Sequence, residues 1–468
     1  MSLQSDTAAT AVPTAAVVLE ASSPGTLSRR ATTLLRDGPP NSMRRDGAHI
    51  RANAYDPVKN PNGIVMFGTA VNTLMSQEIL QKLKASLQCG PEDLFYGPAT
   101  GRPRIQQAVS KLVNRYFHPC IPVEPAHIML LNGAGSAITS FAWAFCDEGE
   151  ALLVPGPDYG GFALDVALHS RVKVVSVPVP TVELQSISQI RHFESTLQTA
   201  IRQGVRVKGM LLSNPRNPLG WQDVLCALLQ FAGRYGLHVL MDEVYALSSH
   251  EPPCDTVNSP TFVSVLAIPD LAQYINPALV HVAYGMSKDF GMNGVRIGYL
   301  ISPFNAEFRN VIQEIGLTSI VSSVAESAIT TMLEDETWVD NYVRENRRRL
   351  GEAAQYTYTR LRDAGITCFP AKYGCYFWID LSMYLRPPSN SAAEEASAKQ
   401  LPATEQELYD RLLAAGIFLL RGANFYAAEP GWFRLTFSTQ REVLAIGLDR
   451  LAAAVKQLRE ADNGHTGV

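Results

Sequence analysis

Several large classes of protein are excluded by what this sequence lacks. No uninterrupted apolar run approaches the roughly 18 to 20 residues that a membrane-spanning helix needs. Residues 1–19 (MSLQSDTAATAVPTAAVVL) lack the basic start and compact apolar stretch of a secretion signal, so a cytoplasmic protein is expected. Charge of one sign is also missing: 40 Lys plus Arg stand against 44 Asp plus Glu, a net of -4. Such a balance leaves no electrostatic footprint for non-specific nucleic-acid binding and no attraction to an anionic membrane. Cysteines are few and scattered. Cys89, Cys120, Cys146, Cys226, Cys254, Cys368 and Cys375 are odd in number, with no C-x-x-C or His-linked spacing. That argues against a disulfide framework and a metal site, and leaves buried free thiols as the expectation. What is present is length and apolar content, 468 residues at 46% hydrophobic, enough for a sizeable core.

The chain changes character along its length. Residues 1–50 are rich in Ala, Thr and Ser and hold Gly38-Pro39-Pro40-Asn41 and Arg44-Arg45, which reads as a flexible tail with one short helix near 28–35. Over 64–300, β-rich runs alternate with helical stretches: HIMLLNG (127–133), ALLVPGP (151–157), KVVSVPV (173–179), KGMLLSNP (208–215), LHVLMDE (237–243) and LVHVAYG (279–285). This alternation predicts an α/β fold with a mostly parallel sheet, and the nearly continuous apolar runs fit strands covered on both faces. A long helix is expected over 323–362, with Arg347–Arg349 as its solvated face, and CYFWIDL (375–381) and WFRLTFS (432–438) read as strands of a smaller α+β domain. The expected division is a tail (1–50), the first part of the small domain (51–95), a large domain (96–330) and the rest of the small domain (331–468). Residues 386–405 (RPPSNSAAEEASAKQLPATE) read as a flexible insertion, and no internal repeat is visible.

Candidate chemistry gathers where predicted strands end, the place where open α/β sheets bind ligands. LHVLMDEVY puts Asp242 at the end of a buried strand, with Tyr245 three residues on. A carboxylate there needs a partner, and alone it reads equally as a helix cap or half of an ion pair. Lys288 follows another strand in a glycine-rich turn, with Arg296 eight residues later; alone it is an ordinary loop lysine. In NGAGSAI (132–138), Gly133, Ala134, Gly135 and Ser136 would let backbone N–H groups approach a phosphate at a helix start, a weak signal by itself. Together, an acid, a lysine, an arginine and an anion cradle are what pyridoxal 5'-phosphate requires. Its aldehyde takes an amine, its ring nitrogen a carboxylate, and its phosphate N–H groups and a cation.

At this point the residues resemble a known family. Asn214-Pro215-Arg216-Asn217-Pro218-Leu219-Gly220, Asp242-Glu243-Val244-Tyr245, Ser287-Lys288-Asp289 and Gly294-Val295-Arg296-Ile297-Gly298 are similar, in order and spacing, to the class I and II aminotransferases of fold type I. Residues 53–75 and 429–438 resemble the 1-aminocyclopropane-1-carboxylate (ACC) synthase-like branch, which also holds fungal aminotransferases and C–S lyases of sulfur-containing toxin pathways. The resemblance implies pyridoxal phosphate as cofactor, bonded to Lys288, with Asp242 on its ring nitrogen, Asn217 and Tyr245 on its phenolic oxygen, and Tyr159 stacked on the ring. It further implies a phosphate site of Arg296, Ser287 and the amides of Ala134, Gly135 and Ser136. Arg434 would bind the substrate carboxylate, with Tyr55, Val71 and Asn72 at the substrate mouth. Tyr96 would serve the neighbouring subunit of a homodimer with shared active sites.

Two departures from the family pattern matter. The usual S-x-S-K reads Gly285-Met286-Ser287-Lys288, and the ACC synthase A-E-N reads Ala70-Val71-Asn72, with valine in place of the acid. Losing that carboxylate weakens the case for S-adenosylmethionine as substrate. Three functions remain in view: a transaminase or C–S lyase acting on an amino acid or its conjugate in specialised metabolism, an ACC synthase, and a non-catalytic regulator built on the fold.

Overall fold

In a computed structural model, residues 27–37, 42–215, 223–253, 262–369, 372–386 and 401–463 are described. The chain divides into two compact units, Met1–Pro40 and Asn41–Val468. In the first, helix α1 (Arg29–Asp37) stands where a short helix is expected, and the Ser28 hydroxyl accepts the Ala31 N–H at 3.2 Å as its cap.

The second unit opens with helix α2 (Ser42–Ala52), which corrects the expected extent of the tail: Ile50 is 1% exposed and belongs to an apolar core. Strand β1 (Val65–Met66) follows, then helix α3 (Ser76–Ser86) and helix α4 (Pro103–Phe117). The central sheet is built from β2 (Ile128–Leu131), β3 (Ala151–Gly156), β4 (Lys173–Pro178), β5 (Val207–Ser213), β6 (His238–Asp242), β7 (Val280–Gly285) and β8 (Gly298–Ile301). Their order is β2-β8-β7-β6-β5-β3-β4, parallel except where β8 runs against β2 and β7. Every residue of β3 and β7 is buried. Because side chains alternate along a strand, a continuous apolar run feeds two cores at once. Met210 and Leu212 of β5 and Val239 and Met241 of β6 enter one core, while Leu211 and Leu240 enter the other, against helix α5 (Ala134–Phe145).

Helix α6 (Phe162–Ala167) packs beside α5, and α7 (Ile190–Arg202), α8 (Asp223–Tyr235), α9 (Ala306–Ile315) and α10 (Ser323–Glu334) complete the layers. The expected long helix is two, because the Asp335 carboxylate accepts the Trp338 N–H at 3.0 Å and starts α11 (Glu336–Asp363) afresh. The arginine run on α11 is not one solvated face. Arg348 pairs with Glu345 and Glu352, but Arg347 donates to the Leu247 carbonyl at 2.9 Å, and Arg349 ties Leu74 and Glu78 to the helix.

The smaller layer is an antiparallel sheet of β9 (Thr367–Phe369), β10 (Tyr376–Asp380), β12 (Leu420–Arg421) and β13 (Trp432–Thr436), with β11 (Ile417–Phe418) pairing in parallel to β1. Its core includes Val244 and Tyr245, just past the end of β6, so the two layers meet where the candidate residues lie. Helix Glu405–Ala414 begins at the last residue of the expected insertion, of which 387–400 fall outside the described residues. Of the cysteines, Cys146 and Cys375 are buried while Cys89 and Cys120 are exposed, contrary to the expectation of buried thiols throughout; Cys254 is outside the described residues. Among the described residues no helix is long and apolar enough to cross a membrane, and no three His, Cys, Asp or Glu side chains are placed to hold a metal.

Candidate active site

Asp242 is the last residue of β6, in register with Ser213 of β5 and Ala283 of β7. It is buried, and its carboxylate accepts a long hydrogen bond from the Val244 N–H at 3.4 Å. Burial and the neighbouring Asp158 push its carboxyl up to about 7, against the opposing pull of the Val244 N–H and the Lys288 ammonium. Such a group is stabilised as an anion when a cation arrives beside it. Asp158 was not singled out from sequence. It is fully buried and accepts hydrogen bonds from the Ser213 hydroxyl, the Ser213 N–H at 3.2 Å and the Tyr159 N–H at 2.7 Å.

Lys288 lies in the turn after β7, beside the half-buried Ser287, and its Nζ donates to the Ala70 carbonyl at 2.9 Å. Burial lowers its ammonium to about 8; Cys375 and Asp242 oppose the shift, while Arg434 and Arg296 add to it. A lysine with that value carries an appreciable neutral fraction near neutrality, the form that attacks a carbonyl. Its neighbour Asp289 anchors the turn. That buried carboxylate accepts from the Leu247 N–H at 2.9 Å, the Tyr284 hydroxyl at 3.2 Å and the Ser248 hydroxyl, while the Tyr342 hydroxyl donates to its backbone carbonyl at 2.9 Å.

The turn from β2 into α5 forms a cradle. Gly133 has φ 84°, and a Cβ there would stand 2.5 Å from Arg296 Nη2. A Cβ on Gly298 would fall 2.3 Å from the Gly133 carbonyl carbon, so both positions require glycine. Arg296 Nη1 donates to the Asn293 carbonyl at 2.8 Å, which holds its guanidinium over the start of α5. There the first-turn N–H groups of Ala134 and Gly135 lack intrahelical acceptors. Ser136 differs from the sequence expectation in that its N–H already bonds the Gly133 carbonyl at 3.0 Å and its hydroxyl donates to Asn132.

Across the cleft, Arg434 of β13 is 5% exposed. Its Nη2 donates to the Gly68 carbonyl at 2.8 Å, and its guanidinium lies 4.7 Å from the Phe425 ring and 5.2 Å from the Tyr376 ring. Its Nε is buried with no hydrogen-bond partner. An unpaired donor on a buried guanidinium is costly, and the fork geometry of the group suits a planar carboxylate. Tyr245 is buried edge-on to Tyr376 at 5.4 Å, and burial holds its hydroxyl well above the usual phenol range. Tyr159 is 39% exposed and edge-on to Phe162 at 5.2 Å; desolvation of its hydroxyl, with Asp165 and Asp242 near, raises that group as well.

Between Lys288 and Arg434 runs the loop of residues 68–73. The Gly68 and Ala70 carbonyls hold Arg434 and Lys288, and the Val71 carbonyl accepts from the Ser438 hydroxyl at 3.0 Å, leaving the Val71 side chain half-buried in that loop. Asn72 is turned elsewhere: its amide donates to Asn346 at 2.8 Å and accepts from the Leu74 N–H at 3.1 Å, which makes it a brace for the loop rather than a substrate contact. Tyr55 packs under the Arg450 guanidinium at 5.7 Å and, half-buried, against the smaller layer's core. Tyr96 is 97% exposed and makes no contact with this cleft. Asn217 lies outside the described residues. Sequence reasoning also passed over Cys375, buried beside Lys288, Tyr245 and Ser438, and Asp165, which faces the cradle; neither sits in a motif.

Comparisons with known proteins bear on the family and the fold. The family model described as "Aminotransferase class I and II" matches residues 64–451. A mouse (Mus musculus) protein named "Probable inactive 1-aminocyclopropane-1-carboxylate synthase-like protein 2" is 33% identical over 411 residues, covering 86% of this chain and 67% of its own. A cattle (Bos taurus) protein named "1-aminocyclopropane-1-carboxylate synthase-like protein 1" is 33% identical over 410 residues, 85% of this chain and 77% of that one. An aspartate aminotransferase double mutant from Thermus thermophilus superposes with a TM-score of 0.70 at 20% identity, over 92% of this chain and 100% of that one, which establishes the shared fold type I architecture. With its lysine, aspartate and arginine brought to one cleft at the ends of a mostly parallel sheet, this chain belongs to the class I and II aminotransferase family.

Proposed function

We propose that the chain is a pyridoxal-phosphate enzyme acting on an L-amino acid or amino-acid conjugate, by transamination or by C–S elimination, in specialised metabolism. The observation that carries this reading is the buried Arg434, whose Nε has no hydrogen-bond partner, gathered with Asp242 around Lys288. The residues fit the cofactor: Arg296 and the amides of Ala134 and Gly135 suit its phosphate, Asp242 its ring nitrogen, and Tyr159 its ring face. When bound, the group supplies an electron sink for the bond broken at the substrate Cα. The chain's own part is positional and acid–base. Arg434 orients the substrate carboxylate, Lys288 Nζ removes and returns the Cα proton, and Tyr245, kept protonated by burial, offers its hydroxyl as a hydrogen-bond donor.

Incubating the protein and its Arg434→Ala variant with an amino-acid panel and cysteine conjugates tests this reading. The wild type is expected to release an α-keto acid, or pyruvate and ammonia. The variant should raise KM with a loss of about 2 to 5 kcal/mol in kcat/KM, the cost of breaking a desolvated charge pair. Equal kcat/KM in the two proteins would remove Arg434 from the substrate site. Efficient formation of ACC from S-adenosylmethionine would favour the second reading, which the names of the curated relatives support and Val71 opposes. Absence of any product, with tight ligand binding, would support a non-catalytic role, the one that "Probable inactive" in the mouse relative's name suggests.

The same reading includes a homodimer. Leu94, Phe95 and Tyr96 are 80%, 70% and 97% exposed, yet the segment that carries them is clamped. Arg102 pairs with Asp93 at 2.6 Å and donates its N–H to Glu326 at 2.7 Å, and Ser323 donates to the Phe95 carbonyl at 3.1 Å. A rigid, exposed apolar run is better explained by a partner surface than by mobility. Mixing Tyr96→Phe with Lys288→Ala protein is expected to restore activity above the sum of the two by subunit exchange; a fully active monomer contradicts it.

A further inference from the structure

Asp165, on the short helix α6, belongs to none of the motifs that mark the family, yet it faces the phosphate cradle. A Cβ on Gly135, in the first turn of α5, would lie 3.5 Å from its Oδ1 and 3.9 Å from its Oδ2. Its backbone carbonyl is pinned there by the Thr139 hydroxyl of α5 at 2.8 Å. Oδ2 is buried with no hydrogen-bond partner. Without a ligand, a carboxylate at this spot is tolerated because it faces the positive end of α5 and the Arg296 guanidinium. A phosphate dianion claims both of those attractions and adds a like charge beside the carboxylate.

We propose, resting on the pyridoxal-phosphate reading, that Asp165 takes up a proton from solvent as the cofactor's phosphate binds. Its carboxyl O–H then donates to a phosphate oxygen, so that the protein holds its cofactor less tightly as pH rises. The surroundings already lean that way: burial and Asp242 push the Asp165 carboxyl up to about 7, with Arg296 opposing. The ionisable groups facing it are Asp242 from β6, Arg296 from the turn before β8, and the Tyr159 and Tyr426 hydroxyls, both held protonated. Helix α5 carries no ionisable side chain, and β4 carries only the exposed Lys173. Binding linked to one proton weakens about tenfold per pH unit above the free group's titration.

The test measures dissociation constants of the apoprotein for pyridoxal phosphate and for pyridoxal, by absorbance and tryptophan quenching, between pH 6.5 and 9. The wild type is compared with Asp165→Asn, whose amide donates a hydrogen bond at every pH, and with Asp165→Ser should the first variant fold poorly. For pyridoxal phosphate, the wild-type affinity is expected to fall by up to about tenfold more per pH unit than that of Asp165→Asn. For pyridoxal, which lacks the phosphate, the two proteins should titrate alike. Equal slopes with pyridoxal phosphate overturn the inference, as does an equally large difference with pyridoxal, which would place the effect at the ring. Absence of binding by wild type and variant alike would overturn the cofactor reading itself, a result distinct from equal slopes.

Discussion

Replacing Lys288 by alanine is expected to abolish turnover, by roughly 10⁵-fold or more, equivalent to about 7 kcal/mol of transition-state stabilisation. The size follows from two duties that the proposed function lays on one nitrogen: Nζ would be the amine for the cofactor's aldehyde and the base at the substrate Cα. In the fold it is held at 2.9 Å from the Ala70 carbonyl and lowered by burial to about 8, which suits both. The peptide that contains Lys288 should gain the cofactor's mass after borohydride reduction of the wild type, and no peptide of Lys288→Ala should. The pH dependence of cofactor capture checks the environment separately. Its rate should rise to about pH 8 and level off, where an ordinary lysine would keep gaining neutral amine to about 10.4. Label on another lysine, or an active variant, would end the assignment.

Asp242→Asn should lose roughly a thousandfold in turnover, about 4 kcal/mol, while keeping its cofactor within about tenfold in affinity. The amide fills the same volume but cannot hold a proton on the ring nitrogen by charge. The proposed phosphate contacts through Arg296 and the start of α5 would be untouched. Stability should move the other way. Asp242 carries a carboxyl raised to about 7 in the fold from an ordinary value near 3.8, so its contribution is full below about pH 4 and is lost as pH rises to about 7. The cofactor-free Asn variant is therefore expected to melt higher than the wild type at pH 8, with the gap closing as the pH is lowered towards 4. A variant that melts lower at pH 8, or that turns over normally, would refute this role.

Much of this arrangement was legible in residue order. The strand runs ending in Asp242 and before Lys288 became β6 and β7, since short apolar, β-branched runs bounded by turns are too brief for most helices and fit strands covered on both faces. Gly133 and Arg296 belong to that legible part too, because a positive φ and a short turn leave a local trace. Helix α2 was missed because its polar pattern gives a weak period, and it is held instead by burial of Ile50. The break at Asp335 was missed because one side-chain cap interrupts an otherwise helical run.

Residue order by itself determined the sheet, the family motifs and which side chains end the strands, since each of these depends on neighbours within a few positions. Only the tertiary structure decided what surrounds them. It brought Gly68 and Ala70 to Arg434 and Lys288, across separations of 366 and 218 residues. It tied Asn72 to Asn346 and Tyr55 to Arg450, and set Asp158, Asp165 and Cys375 around the site. The physical reason is that charge, burial and unpaired donors are properties of a shared volume. Side chains distant in sequence enter that volume only when the two layers pack together.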